Sequence, residues 1–379
     1  MKSKGKTIAV NARFLLPDKL EGIGWYTHEV VRRLVAWHPD WNFVFLFDRP
    51  FDKRFLFAPN VTGVVVPPPS RHPLLWYIWF EWTLPAALKR CGADVFFSPD
   101  GYCSLSAPVK TLMVTHDLAH LHFPAEIPYA ARYYYNHFVP RYLRRAEAVL
   151  TVSEFTKADI VHRYGLSGNK ISVAGNGCRE GFVPVSESEK ALIREKYSSG
   201  HPYFLYLGAV HPRKNIHRLI RAFDRFKAET GAPVKLLIGG RFTWQTGIIR
   251  SAWEAAEYKK DILFMGYVPE TELPKLTAAA LALTYVSLFE GFGVPLLEAM
   301  HCDTPVLTSN VSSLPEVAGD AALKVAPENT DEIASALKRL YEDAPLRASL
   351  VEAGRRRRTH YSWDAAAMVA EQALLNLML

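Results

Sequence analysis

Hydrophobic positions in this chain come in short runs separated by turn residues and by helix-like segments. Runs at 7–11, 43–47, 62–66, 94–98, 110–115, 148–153 and 171–173 are rich in Val, Leu, Phe and Thr. Apolar runs of that length, bounded by turn signals, predict strands covered on both faces, as in a parallel sheet. The segments between them, such as 25–37 and 71–90, read as helices. A polar stretch rich in Ser, Glu and Lys at 180–202 predicts a connection with a short helix. Beyond it the alternation restarts, with strands predicted at 204–208, 234–239, 262–266, 281–286 and 304–309. Helices are predicted at 216–226, 273–279, 333–341 and 345–361. Two such series predict an α/β protein of two parallel-sheet domains. Their expected bounds are 1–180 and 200–361, followed by a last helix at about 362–379.

Length and composition fit that picture. A chain of 379 residues exceeds the usual size of one core. Its 49% hydrophobic and 22% charged residues are those of a folded globular protein. No run reaches the roughly 18 apolar residues of a membrane span. Cys91, Cys103, Cys178 and Cys302 form no C-x-x-C pair. Neither a metal nor a disulfide framework is expected, and a reducing cytoplasm fits. The start, MKSKGKTIAVNARFLL, lacks a small-residue cleavage site and reads as leading into a first strand, not as a signal peptide.

Basic residues outnumber acidic ones 45 to 38, a net charge of +7. That sign attracts polyanions or anionic membrane. No nucleic-acid module is recognisable, so nucleic acid is not an expected partner. Two segments bear on the membrane. Residues 71–90 crowd Trp76, Tyr77, Trp79, Phe80 and Trp82 together, and residues 132–145 combine Tyr133, Tyr134 and Tyr135 with Arg141, Arg144 and Arg145. Each reads either as a core-packed helix or as an interfacial one. Two in one half lead to the expectation of peripheral membrane contact through the first domain.

The densest chemistry lies at 281–302. A strand-like run is followed by Glu290-Gly291-Phe292-Gly293, too glycine-rich for either element, and Pro295 suits the first turn of a helix. In open α/β sheets ligands bind beyond the carboxyl ends of the strands, where this loop would lie. Glu290 and Glu298 offer carboxylates to hydroxyl groups, and the helix start offers N–H groups to an anion. A sugar nucleotide has both groups. A solvated loop carboxylate beside a Glu favoured by the helix dipole fits the same residues. Upstream, Arg213 and Lys214 stand between a strand and a helix, where they hold a diphosphate or face solvent. His116-Asp117 ends a strand, a place for a catalytic group or for a plain capping Asp. Gly22-Ile23-Gly24 reads as a loop before a helix, but Thr27 stands where the dinucleotide fingerprint has its third glycine. His116, His120 and His122 have only Asp117 as a nearby acidic partner, and no metal site is expected.

Ser287 through Ala299 fits S-x-x-E-G-F-G-x-P-x-x-E-A without departure. It resembles the E-x7-E motif of family 4 retaining glycosyltransferases, which have the GT-B fold. Gly208 with Arg213-Lys214-Asn215 resembles that family's G-x-x-x-x-R-K-N clamp, and His116-Asp117 its H-D. Ser153 to Thr156, Asn176-Gly177 and Ser362-Trp363 resemble further family turns. The resemblance covers nearly the whole chain and is strongest from 204 to 322.

That resemblance implies two Rossmann-like parallel-sheet domains facing a cleft, donor mainly on the second and acceptor on the first, with the last helix, about 362–379, returning to complete the first domain. It implies sugar transfer from a nucleotide sugar with retention, without an obligatory metal or a cofactor besides that substrate. Glu298 would hold the ribose hydroxyls and Glu290 those of the donor sugar. Gly291, Phe292, Gly293 and Val294 would line the donor, Phe292 and Gly293 through backbone N–H groups. Arg213 and Lys214 would stabilise the leaving diphosphate, and His116 would contact the sugar. Tyr267 and Val268 would meet the base through backbone groups. Gly208 would lie in register with the phosphate clamp, and Gly22 and Gly24 near the diphosphate or the acceptor. The P-R-K-N form at 212–215 looks most like bacterial mannosyltransferases of surface-polysaccharide assembly. The expectation is a cytoplasmic hexosyltransferase using GDP-mannose, acting on a glycan or lipid-linked glycan. One alternative is a nucleotide-sugar 2-epimerase of this fold, which lacks the E-x7-E and R-K-N pairing. Another is an inactive sugar-nucleotide-binding protein, against which the retained Glu290, Glu298, Arg213, Lys214 and His116 argue.

Overall fold

The structure, a computed structural model, describes residues 5–17, 20–243 and 246–379. Residues 1–4, the basic start read as leading into a strand, lie outside the described residues. The chain divides into two compact units, residues 1–176 with 362–379 and residues 177–361.

The first unit is built on β1 (Thr7–Asn11), β2 (Asn42–Phe47), β3 (Val61–Val65), β4 (Val95–Ser98), β5 (Lys110–Thr115), β6 (Ala148–Thr151) and β7 (Ile171–Val173). They form one parallel sheet in the order β3-β2-β1-β4-β5-β6-β7. Ile8, Phe45, Phe96, Leu112 and Leu150 are fully buried, as strands covered on both faces require. The last helix, Trp363–Met378, packs on the helix Gly22–Trp37. Arg33 donates from Nε to Asp364 at 2.5 Å, and Tyr26 meets Trp363 edge-on.

The 71–90 segment is not one regular helix. It runs as Pro73–Ile78, widens to a π turn over Trp79–Thr83, and resumes as Leu84–Cys91. Pro85 has no N–H to give the carbonyl four residues back, and Leu84 N–H reaches Trp79 O instead. The turn buries Trp79 and Phe80 and leaves Trp82 63% exposed.

The second unit carries β8 (Tyr203–Leu207), β9 (Lys235–Gly239), β10 (Ile262–Gly266), β11 (Ala282–Tyr285), β12 (Val306–Ser309) and β13 (Ala322–Val325). All pairs are parallel, in the order β10-β9-β8-β11-β12-β13. That is the Rossmann order, with its switch point between β8 and β11. The strand β13 was not expected; its four residues lie between the strand predicted at 304–309 and the helix predicted at 333–341. The helix Glu187–Ser198, closed at its start by a Ser186–Glu189 capping box, packs on this unit. Its Tyr197 hydroxyl donates to Glu272 at 2.5 Å.

Candidate functional site

The two strands at the switch point of the second unit end in the two loops that carry the predicted chemistry. Chain leaving β8 reaches Gly208 and then the short turn Pro212–Lys214. Chain leaving β11 reaches Glu290. The loops are tied together: Leu288 N–H donates to Arg213 O at 2.9 Å, and Arg213 Nη1 donates to Phe289 O at 2.6 Å. Asn215 fixes the turn in the left-handed region at φ 61° and donates to Val286 O and Pro327 O.

Glu290 is not a solvated loop carboxylate. It is 7% exposed and takes Lys214 Nζ on Oε1 at 2.5 Å, with Arg213 Nη1 at 3.6 Å from Oε2. Burial alone would push this carboxyl up, but Lys214 and Arg213 more than offset it and hold it below its ordinary range. Lys214 also donates to the Tyr285 hydroxyl at 3.0 Å. Burial, with the like charges of Arg213 and Lys214, pushes His211 down to about 4, so it is neutral beside them.

The loop over 290–293 is held from β12's side. Ser312 Oγ accepts from Glu290 N–H at 3.1 Å, and Ser313 Oγ donates to Glu290 O and Phe292 O. Gly291, Phe292 and Gly293 are buried and Val294 half-buried. Gly293 has φ 101°, and a Cβ there would lie 2.7 Å from Leu314 Cδ2. The helix Val294–His301 starts on it with no side-chain cap; Pro295 has no N–H and Leu296 N–H donates to Gly293 O at 3.0 Å, so the start offers an anion Val294 N–H and the positive end of the helix dipole. Glu298 lies in this helix, 3% exposed, and accepts from Arg179 Nε at 2.6 Å. Burial pushes Glu298 up, and Arg179 only partly opposes it.

The remaining second-unit predictions stand at neighbouring strand ends. Gly208 has φ 147° and donates to Gly239 O at 3.0 Å. Tyr267 is 52% exposed after β10, with the Arg241 guanidinium 4.6 Å over its ring. The Val268 side chain is in the core cluster with Leu237 and Leu276, so only its backbone is on offer to a ligand.

In the first unit His116 ends β5. Its Nε2 pairs with Pro99 O at 2.8 Å, which makes Nε2–H the donor and leaves Nδ1 as an acceptor. Burial pushes its pKa down, so the ring is neutral. His120 and His122 turn to Tyr164 and Asp159, and the three histidines do not converge. Among the described residues no group of His, Cys, Asp and Glu could hold a metal. Gly22 and Gly24 are not in a loop; they open the helix Gly22–Trp37. The sequence offers no capping side chain to delay that start. A Cβ on Gly24 would lie 2.8 Å from Phe14 O, while one on Gly22 would meet nothing within 4 Å.

Sequence reasoning passed over three parts. Arg179 follows the Asn176-Gly177 turn and carries no motif of its own. Ser312 and Ser313 belong to no motif read from the sequence. At the β1/β4 switch point, Arg13 is 5% exposed, paired with Asp100 at 2.5 Å and laid over Tyr102 at 4.1 Å. Arg13, in the chain just after the first strand, belongs to no motif read from the sequence.

Two parallel-sheet α/β units, with cations and buried carboxylates gathered by a helix start at the switch point of the second, define a GT-B protein. Comparison with known proteins supplies the family. Residues 189–357 match the family described as glycosyl transferases group 1, and residues 20–180 match glycosyltransferase family 4. The chain is 33% identical to the O-antigen chain mannosyltransferase B of Escherichia coli over 281 residues, 73% of each protein. It is 28% identical to the O-antigen chain mannosyltransferase RfbU of Salmonella typhimurium over 75% of each. Sucrose-phosphate synthase from Thermosynechococcus elongatus superposes with a TM-score of 0.79 at 19% identity, over 98% of this chain and 99% of that one. WaaG, a glycosyltransferase involved in lipopolysaccharide biosynthesis, does so at 0.75 and 16%, over 96% and 98%. The chain belongs to the family 4 glycosyltransferases and has their GT-B fold.

Proposed function

We propose that the chain transfers mannose from GDP-mannose, with retention, to a glycan or lipid-linked glycan in the assembly of a surface polysaccharide. The observation that carries this is the Arg213–Lys214–Glu290 cluster, built on the glycine loop that leads into the helix Val294–His301. The mannose follows from the relatives, two of which are named as O-antigen mannosyltransferases.

The bond from the anomeric carbon to the leaving phosphate oxygen breaks, and the bond to the acceptor oxygen forms on the same face. The acceptor proton passes to the leaving phosphate. Charge growing on the diphosphate meets fixed cations and helix N–H groups, which need no reorganisation. Arg213 and Lys214 supply the cations. Glu290, held by Lys214, orients the donor sugar's hydroxyls, and Glu298 accepts from the ribose hydroxyls. Neutral His116 accepts a sugar hydroxyl at Nδ1. These residues ask for neither a metal nor a further cofactor.

The acceptor side includes peripheral contact with the cytoplasmic face of a membrane through the first unit. No helix among the described residues is long and apolar enough to cross one.

The test is a melting-shift and transfer assay against GDP-mannose, UDP-glucose, UDP-GlcNAc and UDP-galactose, with and without chelator. GDP-mannose alone should stabilise the protein and label a lipid-linked acceptor, with the α-anomer conserved and no effect of chelator. Transfer only from a UDP-sugar, or its loss in chelator, would overturn the reading.

A further inference from the structure

Glu298 is under-satisfied for a buried carboxylate. A carboxylate has about four acceptor positions. Glu298, in the middle of the helix Val294–His301 and 3% exposed, receives a single hydrogen bond, from Arg179 Nε to Oε1. Among the described residues no hydrogen bond reaches its Oε2. A buried carboxylate with one such partner keeps acceptor positions for water or for a ligand. Glu290 makes the contrast, with Lys214 and Arg213 on its two oxygens.

Arg179 is placed to be more than a surface counter-ion. Its side chain is 17% exposed, and its guanidinium lies 5.0 Å over the Phe182 ring. It approaches Glu298 through Nε, from the side, and so fills one edge of one oxygen. We infer that Arg179 is a positioning residue for the donor: it keeps Glu298 ionised and turned so that two of its remaining oxygen edges accept the vicinal hydroxyls of a ribose. This rests on the reading of Glu298 as the ribose-binding carboxylate. A protonated Glu298 would have one acceptor oxygen and one donor in place of two acceptors, and a diol would lose one of its two bonds. Burial pushes Glu298 toward that protonated form, and Arg179 is the charge that opposes it.

The other ionisable groups around Glu298 do not take over that task. The Cys178 and Cys302 thiols lie close by and are pushed up by burial, so they stay neutral. Arg358, at the far end of the helix, is engaged by Met300 O, His301 O and Asp303. Burial pushes His301 down, and it is neutral too.

The experiment is calorimetric titration of the full chain with GDP and UDP and with their 2′,3′-dideoxy counterparts, from about pH 6 to about pH 9. The wild type should prefer one ribonucleotide over its dideoxy form by roughly tenfold or more, since each hydroxyl bond to a charged group is worth that much. Arg179→Met should lose about tenfold in affinity near neutrality, and the loss should shrink as pH rises, because Glu298 then ionises unaided. It should also flatten the preference for ribose near neutrality. Arg179→Lys should keep most of the affinity. Arg179→Met/Glu298→Gln removes both charges and guards against misfolding; it should bind weakly with no pH dependence. A loss in Arg179→Met that is equal at every pH, or an undiminished preference for ribose, would overturn the role of Arg179 while leaving Glu298 as the ribose ligand. A wild type that binds ribo and dideoxy forms equally would overturn the ribose reading and this inference with it.

Discussion

Lys214 and Glu290 were both drawn out of water when the second unit folded, and each is tolerable there only because of the other. Their side chains are 12% and 9% exposed. Removing one member of a buried pair leaves an uncompensated charge, whereas removing both with similar volume is often close to neutral. Lys214→Met should therefore destabilise the protein by roughly 2–3 kcal/mol, with Arg213 at 3.6 Å softening the loss. Lys214→Met/Glu290→Gln should recover most of it in urea melts. The pH dependence has a definite sign. Glu290 titrates below its ordinary value of 4.5 in the folded state, so the pair's contribution is present above that value and is lost as pH falls through the folded one. The double variant should lose less stability on acidification than the wild type does. His116 calls for a different experiment. Its ring is neutral and hydrogen-bonded to Pro99 O, and it belongs to the first unit, whereas Arg213 and Lys214 belong to the second. His116→Ala should leave nucleotide affinity within about twofold and lower transfer by roughly a hundredfold, since an interaction made mainly in the transition state appears in kcat. An equal loss in binding would show that the ring holds the donor in its ground state.

Elements were legible where a physical rule acts through neighbours in sequence. Continuous apolar runs such as 204–207 and 110–115 appear as strands buried on both faces. Ser153 accepts from Thr156 N–H at 3.1 Å and starts its helix as read. The strand β13 was not legible, because Ala322–Val325 is short and half-exposed and owes its existence to pairing with β12. The break at Trp79–Thr83 was written in Pro85 and overlooked. At the site, the strand–glycine–helix unit at 282–301 was plain, but the partners of its carboxylates were not. Lys214 lies 76 residues from Glu290 in sequence, and Arg179 lies 119 from Glu298. Such pairs are set by strand order. The helix that Gly22 and Gly24 open gives a test at this scale. Gly24→Ala drives a Cβ to 2.8 Å from Phe14 O and should cost roughly 1–3 kcal/mol. Gly22→Ala meets open space at a helix start and should change stability by less than about 0.5 kcal/mol. If transfer then falls with Gly22→Ala while melting does not move, Gly22 serves a substrate. If transfer is also unmoved, its smallness has no use there.

The molecule as a whole carries an excess of seven positive charges, and several of its exposed aromatics gather on two segments of the first unit. On the first unit the rings of Trp82, Tyr77, Phe138, His137 and Tyr133 follow one another at 4.8–6.0 Å, across two helices that are distant in sequence. Trp82 is 63% and Tyr133 64% exposed, with Leu74 and Tyr129 exposed as well. Arg71, Lys89, Arg90 and Arg141 are exposed on the same segments. Aromatic rings with an apolar body and a polar edge, set among cations, suit the headgroup region of an anionic bilayer. Core packing accounts for Trp79 and Phe80, which are fully buried, but not for the exposed rings. The two contributions separate by salt. Attraction of the cations is screened as ionic strength rises, whereas insertion of the rings is not. Binding to vesicles containing phosphatidylglycerol should weaken by roughly tenfold in Trp82→Ala/Tyr133→Ala at any salt concentration. Lys89→Glu/Arg141→Glu should weaken it at low salt and converge on the wild type at high salt. A lipid-linked acceptor would then be used less well by both variants while a water-soluble analogue is used as before, because the surface acts by bringing enzyme and acceptor to the same plane. Equal vesicle binding by all three proteins would remove the membrane from the account and return these rings to the role of a contact for the glycan itself.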